Sequence, residues 1–496
     1  MRKILSLIQP YLIAITPLVM LFRNNPGEIF LIDFSLLLAL LAILIFSVFY
    51  AISKWLKDYE KTSIALSLMC FSLSIAAELP SLSKVWIWSL CASGALISLM
   101  FSIPSKWKRP LACYLSVPLL IIVSYNLFEI GHIKKTIRNE IEQQKLVALP
   151  NKLYPNTCSK DIYFIILDEF ISEQAFKNYY HFDNSDFFSY LKDKDFHLIA
   201  SSTSNYPWTI TSISSILNFD YHSTELSKNV FTGVAQFLIE QNKLFGILKK
   251  EGYIVHHIPS IYWMGNPPQG PISDCLSRTK SYGLIQTISQ ITPWKNSYRD
   301  YQRNAHREHV LMQLDKLKQI TEQPGKKLAF AHIMCPHRPI AFTANGRTLS
   351  EEEILEAEKD TQHRFYLGQA KFISKEIKKT IDHILEHSSE PPLIIILSDH
   401  GKFPINCNPK GKATLPLEEI AWRFSNLQAL YLPGFDSSLP DHITPLNTIR
   451  IILNYYFGYN LSILKDECCP HFLDLNQRIP SKLILEQIHP KEAQNS

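Results

Sequence analysis

Among the nine cysteines of this 496-residue chain there is no CxxC pair and no zinc-finger spacing, so a cysteine-held structural zinc module is excluded. No concentrated basic stripe interleaved with aromatics occurs, and a net charge of +5 is modest, so the chain is not built to grip nucleic acid. Internal repeats and low-complexity tracts are also missing. What the chain does have is long apolar runs, and they divide it into two unlike parts.

Residues 1–130 carry five apolar stretches, at about 7–22, 29–52, 62–77, 85–103 and 111–128. Each approaches the roughly 20 residues that a membrane helix needs. The third is the shortest and is interrupted by polar positions. Pro10 and Pro17 are compatible with a membrane helix, whose neighbours re-satisfy the freed backbone groups. Arg2, Lys3, Lys54, Lys57, Lys61, Lys106, Lys108 and Arg109 fall on one side of this pattern, and only Arg23 and Lys84 on the other. That asymmetry puts the amino terminus in the cytoplasm and, after five spans, the rest of the chain outside it. The first run continues into a multispanning pattern, so it does not read as a cleaved signal peptide. The expected organisation is a five-helix membrane region over 1–130, a charged juxtamembrane connector over 131–160, and an exported domain over 161–490. Six cysteines (158, 275, 335, 407, 468 and 469) fall in the exported part, where disulfides are permitted but no pairing can be selected.

In the exported part, apolar runs alternate with helical patterns. Strands are expected at 162–167, 197–200, 253–258, 327–334, 393–397 and 428–432. Helices are expected from Pro207 through Ser215 and over 230–250, 303–321, 350–386 (with a break) and 448–457. The alternation predicts an α/β domain with a largely parallel central sheet. Continuous runs such as Ile162-Tyr163-Phe164-Ile165-Ile166-Leu167 and Leu393-Ile394-Ile395-Ile396-Leu397 fit strands buried on both faces. The first ends in Asp168 and the second leads to Asp399-His400-Gly401. Ligands of such sheets bind beyond the carboxyl ends of the strands. Two carboxylates and an imidazole at one edge would suit a divalent metal, although Asp-Gly after an apolar run is equally an ordinary turn signal. A loop over 259–271 carries Tyr262, Trp263 and Met264, a possible aromatic binding platform.

Taken in order, several blocks resemble the alkaline phosphatase superfamily in its sulfatase-like branch. They are Asp161–Asp168, Ser204-Asn205-Tyr206-Pro207-Trp208-Thr209, Ser212–Asn218, Ala331–Pro339, Ser398-Asp399-His400-Gly401, Tyr431–Gly434 and Asn447-Thr448-Ile449-Arg450. The layout is similar to lipoteichoic-acid synthases and lipid-A phosphoethanolamine transferases, which hold such a domain outside five membrane helices. An uncharacterised sulfatase-like membrane group resembles it further.

The resemblance implies roles for particular residues. Asp168, Asp399 and His400 would hold one divalent ion, zinc or manganese, with Thr209 as the nucleophile facing it. A second metal would need a ligand set that cannot be assigned here. His337 would hydrogen-bond the transferred group. His332 and Glu169 are weaker candidates, Thr211 is a rival to Thr209, and His256 and His257 read as structural or surface residues. Close relatives more often carry glycine where Glu169 stands. Sulfatases of this fold use a Cys/Ser-x-Pro-x-Arg signature, which is absent at Thr209, and Cys335-Pro336-His337-Arg338 has the wrong spacing for it. Threonine points to phosphoryl transfer or phosphodiester hydrolysis, with a membrane lipid headgroup or envelope glycan as substrate, in a bacterial inner-membrane protein whose catalytic domain is periplasmic or extracellular. Sulfate-ester hydrolysis, or a non-catalytic envelope assembly or binding protein that keeps the fold, is the alternative.

Overall fold

The computed structural model describes residues 2–24, 31–78, 105–145, 149–154, 158–222, 228–260, 274–275, 295–359, 363–402, 417–470 and 478–488. It divides into two units, Met1–Gln143 with Ser281–Tyr298, and Gln144–Lys280 with Arg299–Ser496.

The first unit contains α1 (Arg2–Asn24), α2 (Leu31–Leu56), α3 (Tyr59–Glu78) and most of α4 (Ser105–Lys145). Among the described residues, two helical stretches are long and apolar enough to cross a membrane, Phe34–Leu56 and Ser116–Gln144, and Leu7–Arg23 is a shorter apolar helix. The faces of α2 and α4 expose Ile43, Phe46, Ile121 and Phe128 at 62–70%. A surface of that kind is penalised in water and accepted by lipid. Phe22 stacks on Phe34 at 4.2 Å, and Arg23 Nη1 donates to Asn126 Oδ1 at 3.1 Å, fastening α1 to its neighbours. The expected span at 85–103 lies outside the described residues. In the connector, α4 runs unbroken from the last apolar stretch to Lys145, because the segment 133–145 is rich in Glu, Gln, Lys and Arg, which are good helix formers.

The second unit is built on a seven-stranded sheet in the order β2-β7-β6-β1-β5-β3-β4. The strands are β1 (Ile162–Leu167), β2 (His197–Leu198), β3 (Ile254–Ile258), β4 (Asp274–Cys275), β5 (Lys327–Ile333), β6 (Leu393–Leu397) and β7 (Gln428–Tyr431). The pairs β1/β5, β1/β6, β3/β5 and β3/β4 are parallel, while β7 is antiparallel to both β6 and β2. Strands β8 (Glu467–Cys468) and β9 (Ile479–Pro480) form a separate ribbon. The unit's helices are α5 (Ser185–Asp193), α6 (Thr209–Asn218), α7 (Lys228–Glu240), α8 (Lys243–Lys250), most of α9 (Lys295–Gln319), α10 (Glu351–Lys359), α11 (Arg364–His387), α12 (Leu417–Phe424), α13 (Pro445–Phe457) and α14 (Ser481–Ile488).

Strand alternation explains the unbroken apolar runs. On β1, Tyr163, Ile165 and Leu167 enter one core with α9 and α11, whereas Ile162, Phe164 and Ile166 enter another with α6, α8 and α13. β6 divides in the same way, with Ile394 and Ile396 on one face and Leu393, Ile395 and Leu397 on the other. Every residue of β1, β5 and β6 is buried.

Several helix boundaries differ from expectation, two of them near the site or its supporting helices. The single helix expected over 230–250 is two, because the side chain of Asn242 accepts from the Phe245 amide at 2.7 Å and caps α8. Pro207 is not in the first turn of α6. The helix starts at Thr209, with the extended Trp208 as its N-cap, and it runs on to Asn218.

Candidate metal and nucleophile site

Adjacent parallel strands bring the two acids together. Ile166 of β1 lies opposite Leu397 of β6, and each strand ends in an acid two residues later, Asp168 and Asp399. Both are almost fully buried. Asp399 Oδ1 accepts from the backbone amides of Glu169 (3.1 Å) and His400 (2.9 Å), which fixes its orientation. Asp168 Oδ2 lies 3.1 Å from His332 Nε2. Among the described residues, the remaining oxygens, Asp168 Oδ1 and Asp399 Oδ2, have no hydrogen-bond partner.

His400 Nδ1 is 3.1 Å from the carbonyl of Gly401. A carbonyl only accepts, so the proton sits on Nδ1 and the Nε2 lone pair faces the site. Nε2 is 3.1 Å from Thr209 Oγ1, 3.0 Å from Arg423 Nη2, and 3.1 Å from Asp399 Oδ2 without hydrogen-bond geometry to it. Burial, then Arg423, pushes the His400 pKa down to about 3, so the ring is neutral.

Asp168, Asp399 and His400 each offer one ligand atom, all within 4.8 Å of one another. Ligands of a tetrahedral ion at about 2 Å stand about 3.3 Å apart, so this set fits one small divalent cation. The electrostatics fit as well. Burial and the charge of Asp168 raise the Asp399 carboxyl well above its usual range. Burial also opposes ionisation of Asp168, but His337, His332 and His400 hold it below its usual value. The pair carries one negative charge comfortably, and a second calls for a further cation.

Thr209 is the first residue of α6 and is half-buried. First-turn amides have no partner within their helix, and the dipole there favours an anion. Thr211, the rival, turns its hydroxyl back onto the Trp208 carbonyl at 2.7 Å.

Glu169 does not offer its carboxylate to the same atoms. It leaves the strand at φ +60°, a left-handed conformation in which glycine is at ease, so the strand alternation that separates adjacent side chains stops at Asp168. Its Oε2 accepts from Lys402 Nζ at 2.7 Å, and its Oε1 accepts from Arg423 Nη1. Burial raises its pKa, but Lys402, His337 and Arg423 together hold it well below its usual range.

Two surroundings of the site were undervalued or invisible in the sequence. His332 touches Asp168 directly. Arg423, on α12, is buried against Glu169, Gly401, Pro207 and His400. Nothing in its sequence context marks it, because α12 enters the site from beyond the 403–416 segment. His337 is half-buried, with Nδ1 2.6 Å from the Arg338 carbonyl. It acts electrostatically on Asp168, Glu169 and His400. His306 of α9 is buried near His337, with its pKa pushed down to about 3 by burial and then by His337. His256 and His257 are both buried on β3, not on the surface, and His257 packs against Phe330.

Gly401 holds its place for steric reasons, not as a turn signal. A Cβ there would lie 2.3 Å from the Trp422 carbonyl oxygen and 2.5 Å from that of Ser425. The glycine lets the backbone at the end of α12 close onto the Asp399-His400 turn, where the Gly401 amide donates to the Arg423 carbonyl at 2.6 Å. Cys158, Cys335 and Cys468 are buried free thiols. Tyr262, Trp263 and Met264 lie outside the described residues.

No protein-family model and no curated protein matches the chain. Solved structures do resemble it. The C-terminal periplasmic domain of EptC from Escherichia coli, in complex with Zn, matches at a TM-score of 0.45 and 14% identity over 68% of this chain and 97% of that one. A protein in the alkaline phosphatase superfamily from Vibrio parahaemolyticus matches at 0.40 and 10%, over 73% and 95%. A putative sulfatase from Bacteroides thetaiotaomicron matches at 0.37 and 11%, over 61% and 72%.

Proposed function

We propose that the second unit is a metal-dependent phosphoryl transferase or phosphodiester hydrolase with Thr209 as its nucleophile, acting on a lipid headgroup or envelope glycan. The observation that carries this reading is the half-buried Thr209 hydroxyl, 3.1 Å from His400 Nε2, beside two buried carboxylate oxygens that have no hydrogen-bond partner among the described residues. A structural threonine would not need such surroundings.

Asp168, Asp399 and His400 would hold one divalent ion, zinc or manganese, with Thr209 facing it. When bound, the ion would lower the effective pKa of the Thr209 hydroxyl and offset charge on the transferred group. Thr209 Oγ1 then forms a bond to phosphorus as the bond to the donor's leaving oxygen breaks. The threonine proton passes to water at the half-buried hydroxyl, and the leaving oxygen takes one up from His337 or from water. His337, whose Nδ1 is engaged by the Arg338 carbonyl, has Nε2 left to hold or deliver a proton at that oxygen. The first-turn amides of α6 favour the anionic group on Thr209. Attack by water in the second half would make a hydrolase, and attack by a sugar or lipid hydroxyl a transferase.

The five apolar stretches and their charge asymmetry support a multi-pass inner-membrane protein with a cytoplasmic amino terminus and an exported catalytic domain. Zinc and manganese titration of the metal-free full-length protein tests the site. One ion per chain in the unsubstituted protein, and an affinity at least about 100-fold lower in Asp399→Asn, is expected. Equal binding by the two proteins would sink the assignment.

A further inference from the structure

We propose that Arg423 is a positioning residue for the nucleophile: clamped by Glu169, its guanidinium ties the turn that carries Thr209 to the turn that carries His400. The inference rests on the phosphoryl-transfer reading for its kinetic part and on geometry alone for its structural part.

The bonds run in three directions from one planar group. Nε donates to the Pro207 carbonyl at 2.8 Å, two residues before Thr209. Nη1 donates to the Gly401 carbonyl at 2.8 Å and to Glu169 Oε1. Nη2 lies 3.0 Å from His400 Nε2. Arg423 is 2% exposed, so the Pro207 and Gly401 carbonyls and the Glu169 carboxylate, and not water, hold its Nε and Nη1 donors. The Arg423 carbonyl also accepts from the Gly401 amide at 2.6 Å, so backbone and side chain hold the same turn.

Glu169 makes the arrangement tolerable. An unpaired guanidinium this deep would be costly, and a carboxylate beside it offsets that cost. The carboxylate is itself fixed, because Lys402 Nζ occupies its other oxygen at 2.7 Å. The Tyr366 hydroxyl donates to the Glu169 backbone carbonyl at 2.6 Å, and Lys402 lies 5.1 Å from the Tyr366 ring centroid. Glu169 therefore serves the site through Arg423, while Asp168, its neighbour in sequence, serves it directly. The Arg423 guanidinium also lies 5.7 Å from the Trp208 ring centroid, over the N-cap residue of α6. Lysine has the same charge but lacks the planar fork, so it cannot reach Pro207, Gly401 and Glu169 together.

The test compares the unsubstituted full-length protein with Arg423→Lys and Glu169→Gln. Hydrogen–deuterium exchange is read over residues 204–214, and the maximal rate is read with bis(p-nitrophenyl) phosphate under saturating metal. Exchange at 204–214 at least tenfold faster, exchange at 327–333 unchanged, a maximal rate at least tenfold lower and a half-saturating concentration within threefold are expected for Arg423→Lys. Glu169→Gln shifts both readouts in the same direction. Unchanged exchange at 204–214 overturns the proposal. So does faster exchange with an unchanged maximal rate, which would make Arg423 a stability element only. If the unsubstituted protein shows no metal-dependent turnover, the phosphoryl-transfer reading falls, and the exchange data alone decide whether Arg423 positions the turn. Should Arg423→Lys not fold, Glu169→Gln carries the same two readouts.

Discussion

Asp168 and Asp399 end neighbouring parallel strands in matched register, each two residues beyond the facing pair Ile166 and Leu397. Two carboxylates are thereby brought together at one sheet edge, 231 positions apart in the chain. The Glu169 amide, which donates to Asp399 Oδ1 at 3.1 Å, joins the two strand ends directly. The rest of the site is arranged around that pair.

Substitution separates the two threonines of α6. Thr209→Ala should lower turnover by at least about a thousandfold while leaving the melting temperature nearly unchanged. Thr211→Ala loses only a hydroxyl bond to the Trp208 carbonyl, about 1 kcal/mol of stability, and should keep most activity. Side-by-side turnover and thermal melting check this, and the reverse pattern would move the nucleophile to Thr211.

Gly401→Ala should destabilise by about 3 kcal/mol, because the new methyl meets two backbone carbonyls that cannot move independently of α12. Gly246→Ala is the control. Its Cβ would meet only Leu149 side-chain carbons, the nearer at 3.5 Å, and alanine inside α8 should stabilise by about 0.5 kcal/mol. Denaturant midpoints for the two variants decide the matter, and equal midpoints contradict the close-approach account.

Three buried histidines set an acid limit. Burial pushes His222 down to about 4, and His257 and His306 down to about 3. Their folded-state pKa values are depressed, so their contribution is present above about 6.5, where unfolded histidine is neutral, and is lost as pH falls toward 4. Stability of the full-length protein should drop by about 1 kcal/mol or more per pH unit below pH 6.5. Thermal melting from pH 7.5 to 5 checks it, and a flat profile would contradict it.

The membrane arrangement is checked by reporter fusions. A fusion after Lys106 should report the cytoplasm, and one after Lys135 the opposite side. The same compartment for both would remove the five-span topology, whose charge asymmetry is its motive.

The sheet edge was legible because strands buried on both faces write their burial into the sequence as unbroken apolar runs. Asp168 and Asp399 follow such runs, and His400 follows Asp399, so the triplet could be found without coordinates. His332 was harder to weigh. A histidine within a strand reads as core until its register opposite Ile166 shows that it faces the carboxylate. Glu169, a weaker candidate in the sequence, could not be oriented from alternation, since that period holds only within the strand and the chain turns to φ +60° at that residue. Arg423 left no trace, because a lone arginine on an amphipathic helix is ordinary and its partners lie in three separate segments. Pro207 read as a helix start, whereas the extended Trp208 delays the helix by two residues and makes Thr209 its first.

The most direct test is mass spectrometry of full-length protein quenched during turnover of a membrane lipid extract, with and without zinc or manganese. The account predicts a covalent phosphoryl adduct on Thr209 that needs metal and is absent in Asp399→Asn. An adduct on another residue, or metal-dependent turnover undiminished in Thr209→Ala, would contradict it.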